Sequence, residues 1–371
     1  MYFVLVPDSF KGGLSASKIC AISKRFIDSA FPSAEVKAFP GTDGGEGSVE
    51  ILTDLSGGKM VGGKVFDGNF LAVSATYGVS GDVAYISISN TSGLPKTMIK
   101  DPFYTTSYGL GQQILQAIKL GKKKIYICLG GSSTNDGGAG ASAALGAVFK
   151  NKSDENFVPT GGNLNEIESA DLSELKKNIC GVEFIGLCDV KNPLLGENGC
   201  SYVYAKQKGA KEETLKTLDD NMEYFTRIIS RDDFVDFPGA GAAGGLGFFV
   251  KNILGGEIMY GAEHFLDLID FDENVKKADF IITGEGKFDA TSSKGKICGE
   301  VAARCAANGK KATVFCGING TDSIPNGVSK VIEINDKNKS LSENIAEGEN
   351  NFIKAFSEFL NEIKNSRGVQ K

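Results

Sequence analysis

The sequence predicts an α/β protein of two domains in which one domain interrupts the other. Three observations lead there. Five short apolar runs, 2–6, 35–39, 279–283, 312–316 and 330–334, alternate with helical patterns. Two of these runs lie before residue 40 and three after residue 278, so a parallel sheet of order 2-1-3-4-5 has to be closed by the two ends of the chain. The residues between them open with strict alternation of apolar and polar positions, which calls for a different, mixed sheet. The expected boundaries are 1–60 with 275–371 for the doubly wound domain and 61–274 for the inserted mixed α/β domain.

The elements follow in order. After the first run, Ser15 is placed to cap a helix that carries Ile19, Ile22, Phe26 and Ile27 on one face and stops at Phe31-Pro32. The insertion begins near Lys64, and 71–77 and 83–88 form a hairpin through Gly78-Val79-Ser80-Gly81. Ile125 to Leu129 is apolar and β-branched enough for a buried strand, and the Ala-rich stretch 139–148 suits a helix. A further strand is expected over 183–188 and a helix over 246–254. At the end, Ser340 with Glu343 spells a capping box, and Phe352, Ile353, Phe356, Phe359, Leu360 and Ile363 recur at helical spacing.

Composition narrows the function. With 371 residues, 23% charged and 41% hydrophobic, the chain reads as an ordinary soluble protein of two cores. A net charge of −6 argues against a nucleic-acid or anionic-membrane surface. No signal peptide or membrane span is read at the start, where Pro7-Asp8 interrupts a short apolar run, and the expected address is cytoplasmic. Eight scattered cysteines without a C-x-x-C pair suit reduced thiols, and the single histidine, His264, argues against His-rich metal sites and a Ser-His-Asp triad.

Glycines and acids gather at strand ends, where ligands of open α/β sheets bind. The clusters are Asp8-Ser9-Phe10-Lys11-Gly12, Thr42-Asp43-Gly44-Gly45-Glu46-Gly47, Thr134-Asn135-Asp136-Gly137-Gly138, Cys188-Asp189-Val190 and Thr283-Gly284-Glu285-Gly286-Lys287-Phe288-Asp289. Acids, backbone N–H loops and a few lysines are what phosphoryl transfer around Mg²⁺ needs. The loop Gly130 to Gly138 stands between a strand and a helix start, the ingredients of an anion site. The competing reading is a βα turn whose Asn135 or Asp136 caps the next helix. Gly239-Ala240-Gly241-Ala242-Ala243-Gly244 matches G-x-G-x-x-G but follows Asp236-Phe237-Pro238 rather than a strand, so it reads as a glycine-rich helix entry, tightly packed or touching substrate. The chain holds no Walker motif.

Eight segments, in order from Pro7 to Asp289, resemble the bacterial glycerate kinases of the first type, the glycerate 2-kinases, which move a phosphoryl group from ATP to D-glycerate. They include Pro7 to Gly12, Asp43 to Gly47, Thr106 to Gly109, Leu129 to Gly138, Gln207 to Ala210 and Pro238 to Leu246. The resemblance implies a flavodoxin-like three-layer α/β/α domain, an inserted restriction-endonuclease-like mixed-sheet domain, and an active site in the cleft between them. It implies ATP, Mg²⁺ and D-glycerate as ligands and leaves the oligomer, monomer or homodimer, open. Lys11 is expected to bind the substrate carboxylate or the transferring phosphate, Asp189 to act as base, and Asp43 and Asp289 to hold Mg²⁺ or orient Lys11. Ser9, Gly130, Gly131, Ser132, Ser133, Thr134, Asn135, Asp136, Gly284 and Glu285 are expected around substrate and phosphate, with Lys208 and Lys287 neutralising charge. The competing readings are turn and cap roles for the acids and solvated surface for the lysines.

The chain departs from that family's usual pattern where Ser87 replaces a glutamate, near Asn90 where an acid is common, at Lys287 where arginine is usual, and at Thr291 where glutamine is. Lysine keeps the charge but loses the bidentate grip of arginine. Phosphorylation at C2, giving 2-phosphoglycerate, is the expected chemistry. The alternatives are phosphorylation at C3, another small hydroxy acid as acceptor, a non-catalytic sensor of small acids, and a dinucleotide-dependent oxidoreductase.

Overall fold

Phe3, Val4, Leu5 and Val6 are all buried in the first strand, as a parallel strand covered on both faces requires. The structure, a computed structural model, describes residues 1–371 apart from Lys11, Glu46, 231–235, Thr291, Ser293, Lys294, Arg367 and 369–371. The strands among the described residues are β1 (Tyr2–Pro7), β2 (Glu35–Ala38), β3 (Lys59–Phe66), β4 (Ala72–Ser80), β5 (Val83–Ser87), β6 (Lys124–Cys128), β7 (Val148–Lys150), β8 (Asn156–Phe157), β9 (Ser169–Asp171), β10 (Glu183–Cys188), β11 (Glu257–Tyr260), β12 (Phe280–Phe288), β13 (Ala312–Asn319) and β14 (Val328–Glu333).

The terminal strands pair in the order β14-β13-β12-β1-β2, parallel throughout. Counted along the chain this is 2-1-3-4-5, as the apolar runs predict. Side-chain alternation on β13 sets the layers. Phe315 points into a core with Leu5, Ile19, Phe352, Phe356 and Phe359, built by the helices Ala16–Ala30 and Gly348–Ser366. Val314 and Cys316 point the other way, onto Cys298 and Ala302 of the helix Ile297–Ala307. The result is three layers, α/β/α.

The second sheet runs β11-β10-β6-β5-β4-β3. Its β3, β4 and β5 are antiparallel and its β5, β6, β10 and β11 parallel, which makes it mixed. By contacts the chain divides into two compact units, Met1–Asp43 with Ala262–Lys371, and Gly44–Gly261. The helix Ser48–Leu55 packs on β4 and β5 and so goes with the second unit. Arg304 ties Asp267 and Asp272 of the helices after Gly261 to the helix Ile297–Ala307, which keeps those helices with the terminal sheet.

Several expectations need correcting. Gly78-Val79-Ser80 are strand, and the hairpin turns at Gly81-Asp82 between the paired Ser80 and Val83. The helix after Gly138 ends at Ala144, because Gly146 at φ +110° turns the chain and Val148 opens β7. The C-terminal helix is two: Leu341–Ala346, which has the capping box, and Gly348–Ser366.

Phe315 holds the terminal core together, with ring centroids 5.6, 5.5 and 5.6 Å from Phe352, Phe356 and Phe359. Phe315→Ala is expected to lower stability by about 3–5 kcal/mol in urea unfolding, the range for a buried aromatic in a core that cannot collapse. A loss below about 1 kcal/mol would mean that this ring cluster is not the centre of the core.

Candidate active site

In the inserted unit β6 ends at Cys128 and the chain turns through Gly130 to Gly138. A Cβ on Gly130 would sit 2.6 Å from the Gly45 Cα, so the loop starts pressed against 44–45, and Gly130 N donates to Gly44 O at 3.2 Å. Gly131 at φ +75° passes to an isolated bridge between Ser132 and Gly93. The side chains that follow point inward. Ser133 Oγ donates to Ser92 O at 2.8 Å, Thr97 Oγ1 donates to Ser133 Oγ at 2.7 Å, and Asn135 Nδ2 donates to Ser201 Oγ at 3.0 Å.

Asp136 organises the turn. Its fully buried carboxylate accepts from Ser107 N (2.7 Å), Ser107 Oγ (2.8 Å), Gly138 N (3.2 Å) and Gly140 N (3.3 Å). Burial pushes its carboxyl pKa upward, and these bonds to the charged form oppose the shift. It therefore caps the helix Ala139–Ala144 and ties it to the start of the helix Tyr108–Lys119.

Lys208 closes the same loop from the other side. Its buried Nζ donates to Ser132 Oγ at 3.0 Å and Thr134 O at 2.8 Å. Burial pushes the ammonium down to about 8, with the charge of Asp136 acting in the opposite sense. Two buried acceptors nearby, Thr134 Oγ1 and Asn135 Oδ1, have no hydrogen-bond partner among the described residues. Gly244, at φ +73°, allows the backbone of 239–245 to reach Thr134 O, which a Cβ there would meet at 2.0 Å. The G-x-G-x-x-G stretch is thus a close-packing device. Asp189 stands half-buried just past β10, where its charge, after burial, helps push the Tyr204 phenol up to about 12.

In the terminal unit a cavity of about 330 Å³ opens at the carboxyl ends of the strands. Asp8, Ser9, Asp43, Glu285 and Lys287 all line it. Asp8 N donates to Gly284 O at 2.8 Å, and Ser9 N to the Asp8 carboxylate at 2.6 Å, which fixes the turn after β1 against β12. Glu285 is 5% exposed, its Oε2 lies 3.7 Å from Lys296 Nζ and its Oε1 has no partner among the described residues. Burial raises its carboxyl above the usual range, with Ser292 and Lys296 pulling it back. Lys287 pairs with Asp289 at 2.9 Å, so these two expected ligand groups hold each other. Lys11 and Thr291 lie outside the described residues.

A family model described as "Glycerate kinase family" matches residues 3–364. This chain belongs to the glycerate kinase family. Among relatives, the glycerate kinase of Bacillus cereus is 40% identical over 311 residues, 82% of each chain. The glycerate 2-kinase of Escherichia coli is 38% identical over 304 residues, 80% of each chain. A solved structure assigned as glycerate kinase 2 from Salmonella typhimurium LT2 superposes with a TM-score of 0.85 at 32% identity, covering 99% of both chains.

Within this glycerate kinase family member the departures have plain surroundings. Ser87 is buried at the end of β5, with its Oγ 2.8 Å from Ser89 Oγ and 3.5 Å from Cys128 O. Asn90 Nδ2 donates to Thr76 O at 3.1 Å. Sequence reasoning missed Lys296, which faces Glu285, and the wall formed by Asn335, Leu341 and Ile345. The available signal was the pair Leu341 and Ile345, apolar at i,i+4 on a helix otherwise polar.

Lys208 supplies a pH test. Its pKa is depressed in the folded state, so between about 8 and the 10.5 of a free lysine the unfolded chain holds a proton that the native protein has released. The burial penalty is therefore full below that window and relieved as pH rises through it, and Lys208 makes stability increase with pH there. Urea unfolding across the window should show wild type gaining on Lys208→Met as pH rises. Equal pH slopes would mean the buried ammonium does not titrate there.

Proposed function

We propose that this chain transfers the γ-phosphoryl group of ATP to the C2 hydroxyl of D-glycerate, giving 2-phosphoglycerate and ADP. The observation that carries the reading is the similarity to the E. coli glycerate 2-kinase, 38% identical over 304 residues, 80% of each chain. The cavity at the carboxyl edge of the terminal sheet supports it, because carboxylates and lysines converge there where open α/β sheets bind ligands.

The roles follow from chemistry. Asp189 accepts the C2 hydroxyl proton as that oxygen bonds to the γ-phosphorus, while the bond to the bridging oxygen breaks and ADP leaves with the electron pair. Lys11 binds the glycerate carboxylate or the transferring phosphoryl oxygens. The loop Gly130 to Gly138, with Lys208 behind it, receives phosphate or carboxylate oxygens through its backbone N–H donors, while the buried acceptor Asn135 Oδ1 can take a substrate hydroxyl proton.

Mg²⁺ needs only one or two carboxylates beside phosphate oxygens and water. The residues fit: Asp43 and Glu285 line one cavity, and the unpartnered Glu285 Oε1 is the kind of oxygen a cation satisfies. Asp289, already paired to Lys287, fits less well than Glu285. Bound there, Mg²⁺ would neutralise charge on the phosphate oxygens. The compartment belongs to the same reading. The cysteines are free thiols, as a reducing cytoplasm keeps them, and among the described residues no helix is long and apolar enough to cross a membrane.

Asp189→Asn should lower kcat by about a hundredfold or more with a small change in KM for glycerate, since shape is kept and the base is lost. Lys11→Ala should lose on the order of 3 kcal/mol of transition-state stabilisation while folding normally. Near-normal turnover in either would remove that role. Enolase should consume the product directly. A product that enolase leaves untouched until phosphoglycerate mutase is added would place the phosphate on C3 and overturn the C2 assignment.

A further inference from the structure

The cavity in the terminal unit has both charged and exposed apolar groups in its lining. Its charged groups, Asp8, Glu285 and Lys287, stand at the ends of β1 and β12. Its apolar lining comprises the buried Phe10 and Leu14 past β1 and Ile334 just past β14, and the exposed Ile318 near the end of β13 with Leu341 and Ile345 on the helix Leu341–Ala346. Neighbouring strands lie close to 4.8 Å apart, so from β1 to β14 the edge spans about 14 Å. That is room for a ligand with an ionic end and a flat apolar end.

The apolar side is built to be covered. Ile318 is 37% exposed, Leu341 60% and Ile345 37%, three large side chains converging on one cavity rather than scattered singly. The wall that carries two of them is rigid. Ser340 and Glu343 form a capping box, while Asn344 donates to Asp336 O at 2.9 Å and accepts from Asp336 N at 2.8 Å. The floor is shaped as well. A Cβ on Gly317 would meet Gly286 O at 2.6 Å, so a glycine there lets β13 lie close against β12, and the Asn335 amide sits 3.5 Å from that Cβ position. The Asn335 side chain makes no hydrogen bond to the described residues, although it lines the cavity.

We propose that this apolar half receives the nucleoside base of the donor nucleotide, with Ile318, Leu341 and Ile345 against its faces and the Asn335 amide on its edge. An amide offers one donor and one acceptor side by side, the pattern that adenine complements. The sugar and phosphates then run along the sheet edge toward Lys287, Lys296 and the carboxylates at the ends of β12 and β1. The assignment rests on the kinase reading above in taking ATP as the donor.

The test measures binding apart from turnover. The full-length protein is titrated calorimetrically with ADP and with GDP, without glycerate, as wild type, as Leu341→Ser with Ile345→Ser, and as Asn335→Ala. The two aliphatic residues are exposed enough that serine there leaves the core intact. The double variant should bind ADP about tenfold more weakly, from lost apolar cover. Asn335→Ala should narrow the preference for ADP over GDP. Wild-type affinity in all variants, or no ADP binding by wild type, would overturn the base site. ADP binding that is lost in the variants, together with no phosphorylation of glycerate, would keep the base site and sink the acceptor reading.

Discussion

One buried carboxylate, that of Asp136, determines the shape of the loop between β6 and the helix Ala139–Ala144. Its donors come from two helix starts, at Ser107 and at Gly138 and Gly140, so a single group fixes how both helices leave the sheet. The surrounding residue choices follow from it. A Cβ at Gly140 would stand 2.1 Å from Thr106 Oγ1 and 2.9 Å from Asp136 Oδ2, so only glycine admits the carboxylate. Lys208 supplies the compensating charge at a distance and bonds the loop itself rather than the acid. Removing either partner would leave the other a buried charge with less compensation.

The terminal unit solves a different problem. Asp8, Ser9, Glu285 and Lys287 at the ends of its parallel strands face a cavity instead of a packed loop. Glu285 shows the contrast with Asp136. Both are buried with raised carboxyl pKa values, but Asp136 is satisfied by four bonds within the protein while one Glu285 oxygen is not. A saturated acid holds structure; an unsaturated one at a cavity wall is available to a cation.

Much of this was legible in the sequence. The terminal strands β1, β12 and β13 announce themselves because they carry dense apolar runs, and the split of the five runs between the chain ends forces the 2-1-3-4-5 order. Strands β7, β8 and β9 were not legible, because two or three residues cannot display a period. The break between Ala346 and Gly348 was hidden by apolar spacing that continues across it. At the site, Asp-Gly-Gly spelled both an anion loop and a capped turn, and only the inward rotation of Asp136 shows the capping. Asn335 carried no signal, since its position over Gly317 depends on the pairing of β13 with β14.

The claim that Asp136 sets the loop is tested most directly by amide hydrogen exchange in wild type and in Asp136→Asn, which keeps the shape and removes the charge. The amides of Ser107, Gly138 and Gly140 should exchange slowly in wild type. In the variant they should exchange about tenfold faster or more, while the amides of β1 and β12 keep their protection. Unchanged exchange at those three amides would show that the loop holds its shape without the carboxylate and would contradict the account.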